Sequence, residues 1–219
     1  MSTSTFPQAA HTLTLIGQHD PSSEDLRVLH DGYLTDLIQA IQGGTVPDRS
    51  AFRKFVGLGP IDFATWKQVK LDTGLKTAAD FRSALKKAGM KISNWANDIL
   101  GKPAFTVAAE EVSLDLVVVS VADLGFKKGA TRAQIYERAR ELGLDLCSAE
   151  VGPQLRLQYL DQPMNDWVLI GMEPIADSGG SLSVFILRRD GDEVWLDGSS
   201  GSADLFWFAD YRWVFVRRK

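Results

Sequence analysis

The spacing of apolar residues changes once along this chain, and that change limits what each half can fold into. From Ser23 onward Leu26, Leu29, Tyr33, Leu34, Leu37, Ile38 and Ile41 recur three and four apart until Gly43-Gly44, the period of a helix with one covered face. Shorter helices are predicted behind side chains that can accept from first-turn amides. Asp48 or Ser50 precedes Phe52 and Val56; Asp62 precedes Trp66 and Val69; Thr77, with Asp80 three residues on, precedes Phe81 and Leu85; and Ser93 precedes Trp95 and Ile99. After Gly101–Val112 the pattern becomes strand-like: Leu114, Leu116 and Val117 to Val119 read as a buried strand. One further helix is expected, opened by Thr131 with Gln134 and closed by Gly143. Leu155, Leu157 and Tyr159 alternate with Arg156 and Gln158, and Trp167–Glu173, Leu182–Arg188, Glu193–Leu196 and Trp213–Val216 read as strands, with Asp190-Gly191 as a hairpin turn.

The expected fold is therefore α+β. A flexible arm over 1–22 leads into an all-α helical domain over 23–101, a linker over 102–112 joins it to an α+β domain over 113–219, and the sheet is mainly antiparallel. The 219 residues allow one large or two small domains. No apolar run is long enough for a membrane helix, and the N-terminal residues lack a basic, apolar leader. A cytoplasmic location away from membranes is the expectation.

Charge follows the same division. Residues 51–102 carry ten basic against four acidic side chains, a net +6, whereas 103–219 carry twelve against eighteen, a net −6. Such asymmetry suits a module that meets DNA or an acidic protein. The segments 62–70 and 77–88, joined through LDTGLK, resemble a helix-turn-helix, placing Lys67, Lys70, Lys76, Arg82, Lys86 and Lys87 as candidate nucleic-acid contacts. Solubilising lysines on a small helical domain give the same pattern.

The stretch LCSAEVGPQLRLQYLDQP, continued by DWVLIGMEPI and RWVFVRR, resembles an uncharacterised family of bacterial hypothetical proteins. The resemblance covers most of 112–219 and implies a bacterial, cytoplasmic protein with a discrete C-terminal domain. It attaches no activity, cofactor or catalytic residue to it.

Several chemistries are excluded by residue usage. All three histidines lie within the first 30 residues, Cys147 is the single cysteine, and no lysine occurs from 129 to 218. The C-terminal half thus has no imidazole for a triad, no metal cage and no Schiff-base lysine. Glycine-rich phosphate loops are missing as well, and neither metal nor cofactor is expected. Carboxylates remain. Glu150 and Glu173 can serve as acid and base on a glycosidic bond with Arg156 holding the substrate, or they can cap a turn and pair with Arg156 across strands. Cys147 reads as a buried structural thiol. The aromatic-rich end includes Phe206, Trp207 and Phe208, which cannot all point inward from an extended segment, so a partner contact is expected there. Two functions follow: a non-enzymatic bacterial binding protein of the regulator, antitoxin or immunity type, whose C-terminal domain meets a protein partner, and a carboxylate-dependent hydrolase of glycan-like substrates.

Overall fold

The computed structural model describes residues 14, 16, 19–45, 55–56 and 63–218. The expected arm over 1–22 and the helix after Asp48 or Ser50 lie largely outside the described residues. Contacts divide the chain into two units, Met1–Asp62 and Phe63–Lys219.

In the first unit α1 (Ser23–Val28) opens with a reciprocal capping box between Ser22 and Asp25. A wide turn over Leu29–Tyr33 separates it from α2 (Leu34–Gln42). The apolar period runs unbroken through this stretch, but Gly32 has φ 108°, a left-handed value that no α-helix contains. The single expected helix is two.

The second unit holds β1 (Lys67–Leu71), α3 (Ala78–Lys87), β2 (Lys91–Ile92), α4 (Asn94–Leu100), β3 (Val112–Ser120), β4 (Ala130–Thr131), α5 (Arg132–Glu141) and β5 (Leu144–Asp145). It continues with α6 (Val151–Gln158), β6 (Asp166–Ile170), β7 (Ile175–Ala176), β8 (Leu182–Asp190), β9 (Glu193–Ser200), β10 (Phe206–Trp207) and β11 (Arg212–Arg217). The main sheet has the order β1-β3-β11-β6-β8-β9-β2, with β5 added to β11 and β7 to β8. Most pairs are antiparallel, but β11 runs parallel to β6 and β2 parallel to β9, so the sheet is mixed. Thr77 with Asp80 and Thr131 with Gln134 form the capping boxes expected of them, and Ser93 caps α4. Packing on β11 is aromatic: Tyr136 of α5 meets Trp213 and Phe215 edge-on, at 5.5 and 6.0 Å between ring centres.

Three expectations about organisation are corrected. Residues 67–71 form a strand, not a helix: Val69 and Leu71 point inward while Gln68 and Lys70 point out, the period of two, and β1 pairs with β3 from Lys67↔Leu116 to Leu71↔Val112. The all-α domain ending at 101 therefore does not form, and the unit boundary falls at 62–63. The 102–112 stretch is not a linker, because Phe105 is buried between Phe81 of α3 and Phe185 of β8, edge-on to both. Finally, Leu155, Leu157 and Tyr159 do not line a strand; 151–158 is α6.

Every residue of α6 from Val151 to Arg156 is buried, so it carries no amphipathic stripe and its alternation is uninformative. It touches β1, at one end of the sheet order, and also β8 and β9 near the other. The sheet curls around this helix. Gly152 permits the approach, since a Cβ there would stand 2.6 Å from the Phe185 ring. Side chains of α6 also close the open edge of β1: Gln158 accepts from the Lys70 amide at 3.0 Å and donates to its carbonyl at 2.9 Å, as a neighbouring strand would.

Candidate interaction surface

The three residues proposed for acid-base chemistry do not form one site. Glu150 is fully buried, and its carboxylate accepts from the amides of Asp72 (2.9 Å) and Ala108 (2.6 Å) and from Gln154 Nε2 (2.9 Å). It ties α6 to β1 and to the 105–112 segment. Glu173 stands on the surface, paired with Arg140 at 3.2 Å. Arg156 pairs with neither glutamate. Cys147 is buried, and desolvation pushes its thiol well above the ordinary range.

The helix-turn-helix also lacks its first helix, which is β1. Lys67 bonds Asp161 and lies over the Tyr159 ring, Lys70 faces Glu111 at 3.8 Å, Lys76 pairs with Asp72, and Arg82 holds Asn97 through its side chain and carbonyl. Lys86 and Lys87, in the last turn of α3, are the two cations of 63–102 without a bonded partner among the described residues.

Of the expected partner-contact aromatics, Trp207 turns inward against Tyr211 and Trp213, while Phe206 and Phe208 face out, 49% and 64% exposed. Strand alternation about Trp207 produces this split. Gly129 supports the ridge from below, because any Cβ there would fall 2.7 Å from the Phe206 ring. The two phenyl rings meet edge-on at 5.8 Å.

This ridge is half of a larger surface. β6 and β11 are parallel neighbours, so the segments that precede them, 159–165 and 205–211, reach the same end of the sheet. Leu160 and Met164 are exposed on the first, with Trp167 following them at the start of β6, and Leu205, Phe206 and Phe208 on the second. Between them lies an open hollow of about 280 Å³ lined by Asn165, Asp166, Trp167, Asp210, Tyr211 and Arg212. A second groove of about 350 Å³ near Leu71, Leu114 and Val216 is more aliphatic, and its one charged residue, Asp145, is already held by Arg218.

The buried polar residues behind the first segment explain how it can hold apolar side chains out in water. Arg156, fully buried, donates to the Tyr159 carbonyl and to Gln162 Oε1, and its Nε has no partner among the described residues. Gln162, also buried, donates to the carbonyls of Asp166 (2.9 Å) and Leu187 (3.2 Å), and its own carbonyl accepts from Arg189 Nη1 at 2.8 Å. Asp166 then binds Arg212 through Oδ1 and accepts from Gln162 and the Tyr159 hydroxyl through Oδ2, at 3.3 and 3.4 Å. Burial pulls the Arg156 guanidinium down to about 10, which leaves it charged at neutral pH. A network running from α6 through the loop to β8 and β11 fixes the loop's shape.

Sequence reasoning singled out Arg156 for ligand binding and missed Gln162, whose only visible signal was a polar residue in a turn. It also missed Leu160 and Met164. Their signal was two large apolar side chains in an otherwise polar stretch, LDQPMND. No protein-family model, curated protein or solved structure matches the chain.

Proposed function

We propose that this is a non-enzymatic binding protein whose 63–219 unit meets a protein partner through the surface formed by residues 160–167 and 205–212. One observation carries the reading. Of the nine large apolar side chains exposed in the described part of this unit, six (Leu160, Met164, Trp167, Leu205, Phe206 and Phe208) lie on these two segments. Concentrated apolar exposure marks interaction sites, and Trp, Tyr, Phe, Met and Arg are the residues in which interface cores are enriched. Because the Arg156–Gln162–Asp166 network already orders the loop, little conformational freedom is left to lose on binding. A regulator, antitoxin or immunity protein that acts by contacting another protein would use a surface of this kind.

The alternative hydrolase has less support, since Glu150 is buried and saturated while Glu173 is exposed elsewhere. A nucleic-acid reading rests on Lys86 and Lys87 alone among the described cations of 63–102.

The test is comparative capture from an extract of the producing cells by the full-length protein and by its Phe206→Ser/Phe208→Ser variant, with melting curves for both. The variant should retain at least about tenfold less partner, the effect of losing a contact worth about 1.4 kcal/mol, at an unchanged melting temperature. Equal retention, or no protein retained by the parent chain, overturns the reading.

A further inference from the structure

We propose that the hollow at the centre of this surface receives an arginine side chain of the partner, an inference that rests on the surface being a protein-binding face. Its lining is unusual in what it leaves uncommitted. Asp166 is saturated by Arg212, Gln162 and Tyr159, and Arg212 is correspondingly neutralised. Asp210, by contrast, is exposed and makes no ion pair or hydrogen bond among the described residues. Two carboxylates against one guanidinium leave the hollow with one net negative charge, located on Asp210.

The rest of the lining suits a planar cation. Trp167, 48% exposed, and the half-buried Tyr211 both line the hollow, and a guanidinium gains from lying against an aromatic ring face. Asn165 and Tyr211, which line the hollow together with Asp210, carry an amide oxygen and a hydroxyl able to accept from a guanidinium. Asn165 adopts φ 57°, a left-handed conformation that asparagine tolerates better than most residues. A volume of about 280 Å³ falls just below the ~300–1,000 Å³ of pockets that enclose whole drug-sized molecules, which matches one inserted side chain. Arginine fits better than lysine because the hollow is open. A weakly hydrated, flat guanidinium gains more from a half-wet aromatic site than a strongly hydrated ammonium.

The experiment is an NMR titration of the ¹⁵N-labelled full-length protein with N-acetyl-arginine methylamide, set beside the same derivatives of citrulline and lysine and beside methyl glucoside. The arginine probe should give saturable shifts at the Trp167 indole N–H, the Asn165 side-chain amide and the 210–212 backbone, with about millimolar affinity. Citrulline, which keeps the shape without the charge, should bind about tenfold more weakly, lysine more weakly than arginine, and Asp210→Asn should abolish the arginine shifts at an unchanged melting temperature. Absent shifts at these positions, a citrulline response equal to arginine's, a lysine response equal to or above it, or saturable binding of the glucoside instead would each overturn the proposal. Failure here with intact Phe206- and Phe208-dependent capture sinks the arginine pocket alone; loss of that dependence sinks the surface itself.

Discussion

Arg156 shows how one side chain can matter to a binding face without touching a ligand. Its guanidinium is buried without a carboxylate among the described residues and spends its hydrogen bonds on Tyr159 and Gln162, so it acts on the 159–166 loop as a positioning residue. Truncation to alanine removes charge-assisted bonds and leaves buried acceptors unmatched. Arg156→Ala is expected to destabilise the protein by about 2–4 kcal/mol, whereas Arg156→Met, which keeps the volume, should cost less; chemical denaturation of both variants checks the order. Asp98 offers a pH-dependent counterpart. The Ser178 amide and hydroxyl, at 2.6 and 2.7 Å, and then Lys102 hold its carboxyl down at about 2 from the ordinary 3.8. A depressed folded-state value means that its stabilisation is complete above the unfolded-state pKa and is lost as pH falls toward 2. The melting temperature of Asp98→Asn should therefore lie below that of the parent protein at pH 7, with the gap closing between pH 4 and 2. A constant gap across that range would show that the carboxylate's charge is not what matters.

At the scale of elements, legibility depended on whether a segment has one covered face. The helices α3, α4 and α5 were readable because Thr77, Ser93 and Thr131 bond their own first turns, a local interaction that needs no tertiary partner. Strand β1 was misread because Trp66 and Val69 fit a helical spacing as well as Val69 and Leu71 fit an extended one, and five residues cannot separate the two periods. Helix α6 was misread for the opposite reason: buried all round, it has no polar face to set a period. Its placement depends on a close approach, so Gly152→Ala is expected to destabilise by about 1–3 kcal/mol through overpacking against Phe185. The same substitution at Gly180, where a Cβ meets nothing within 4 Å but φ is 83°, serves as a comparison for backbone strain alone. If thermal melts show Gly152→Ala to be neutral, α6 does not seat on β8 as closely as described.

Across the whole molecule, the boundary at 62–63 makes a prediction that the boundary read from composition does not. A fragment spanning 63–219 should unfold cooperatively, since it retains the entire main sheet with α6 inside its curl. A fragment beginning at 102 lacks β1, α3 and α4, which strips Phe81 from Phe105 and leaves the Glu150 carboxylate without the Asp72 amide. It should populate a poorly cooperative or aggregated state, and circular dichroism melts of the two fragments decide the matter. An equally cooperative 102–219 fragment would restore the linker reading.

Legible in the sequence alone were the α+β class, two capping boxes and the Ser93 cap, the β8–β9 hairpin at Asp190-Gly191, and that Phe206, Trp207 and Phe208 could not all point inward. Each follows from contacts within a few residues or from strand alternation, so each is written locally. Tertiary structure alone decided that 67–71 joins the sheet and that Glu150 is a buried tether. It also decided that Arg156 braces a loop and that two segments some 40 residues apart form one surface around Asp210. Those outcomes depend on which distant backbone amides and rings a side chain meets once the sheet has curled, and that pairing is set by packing of the whole unit.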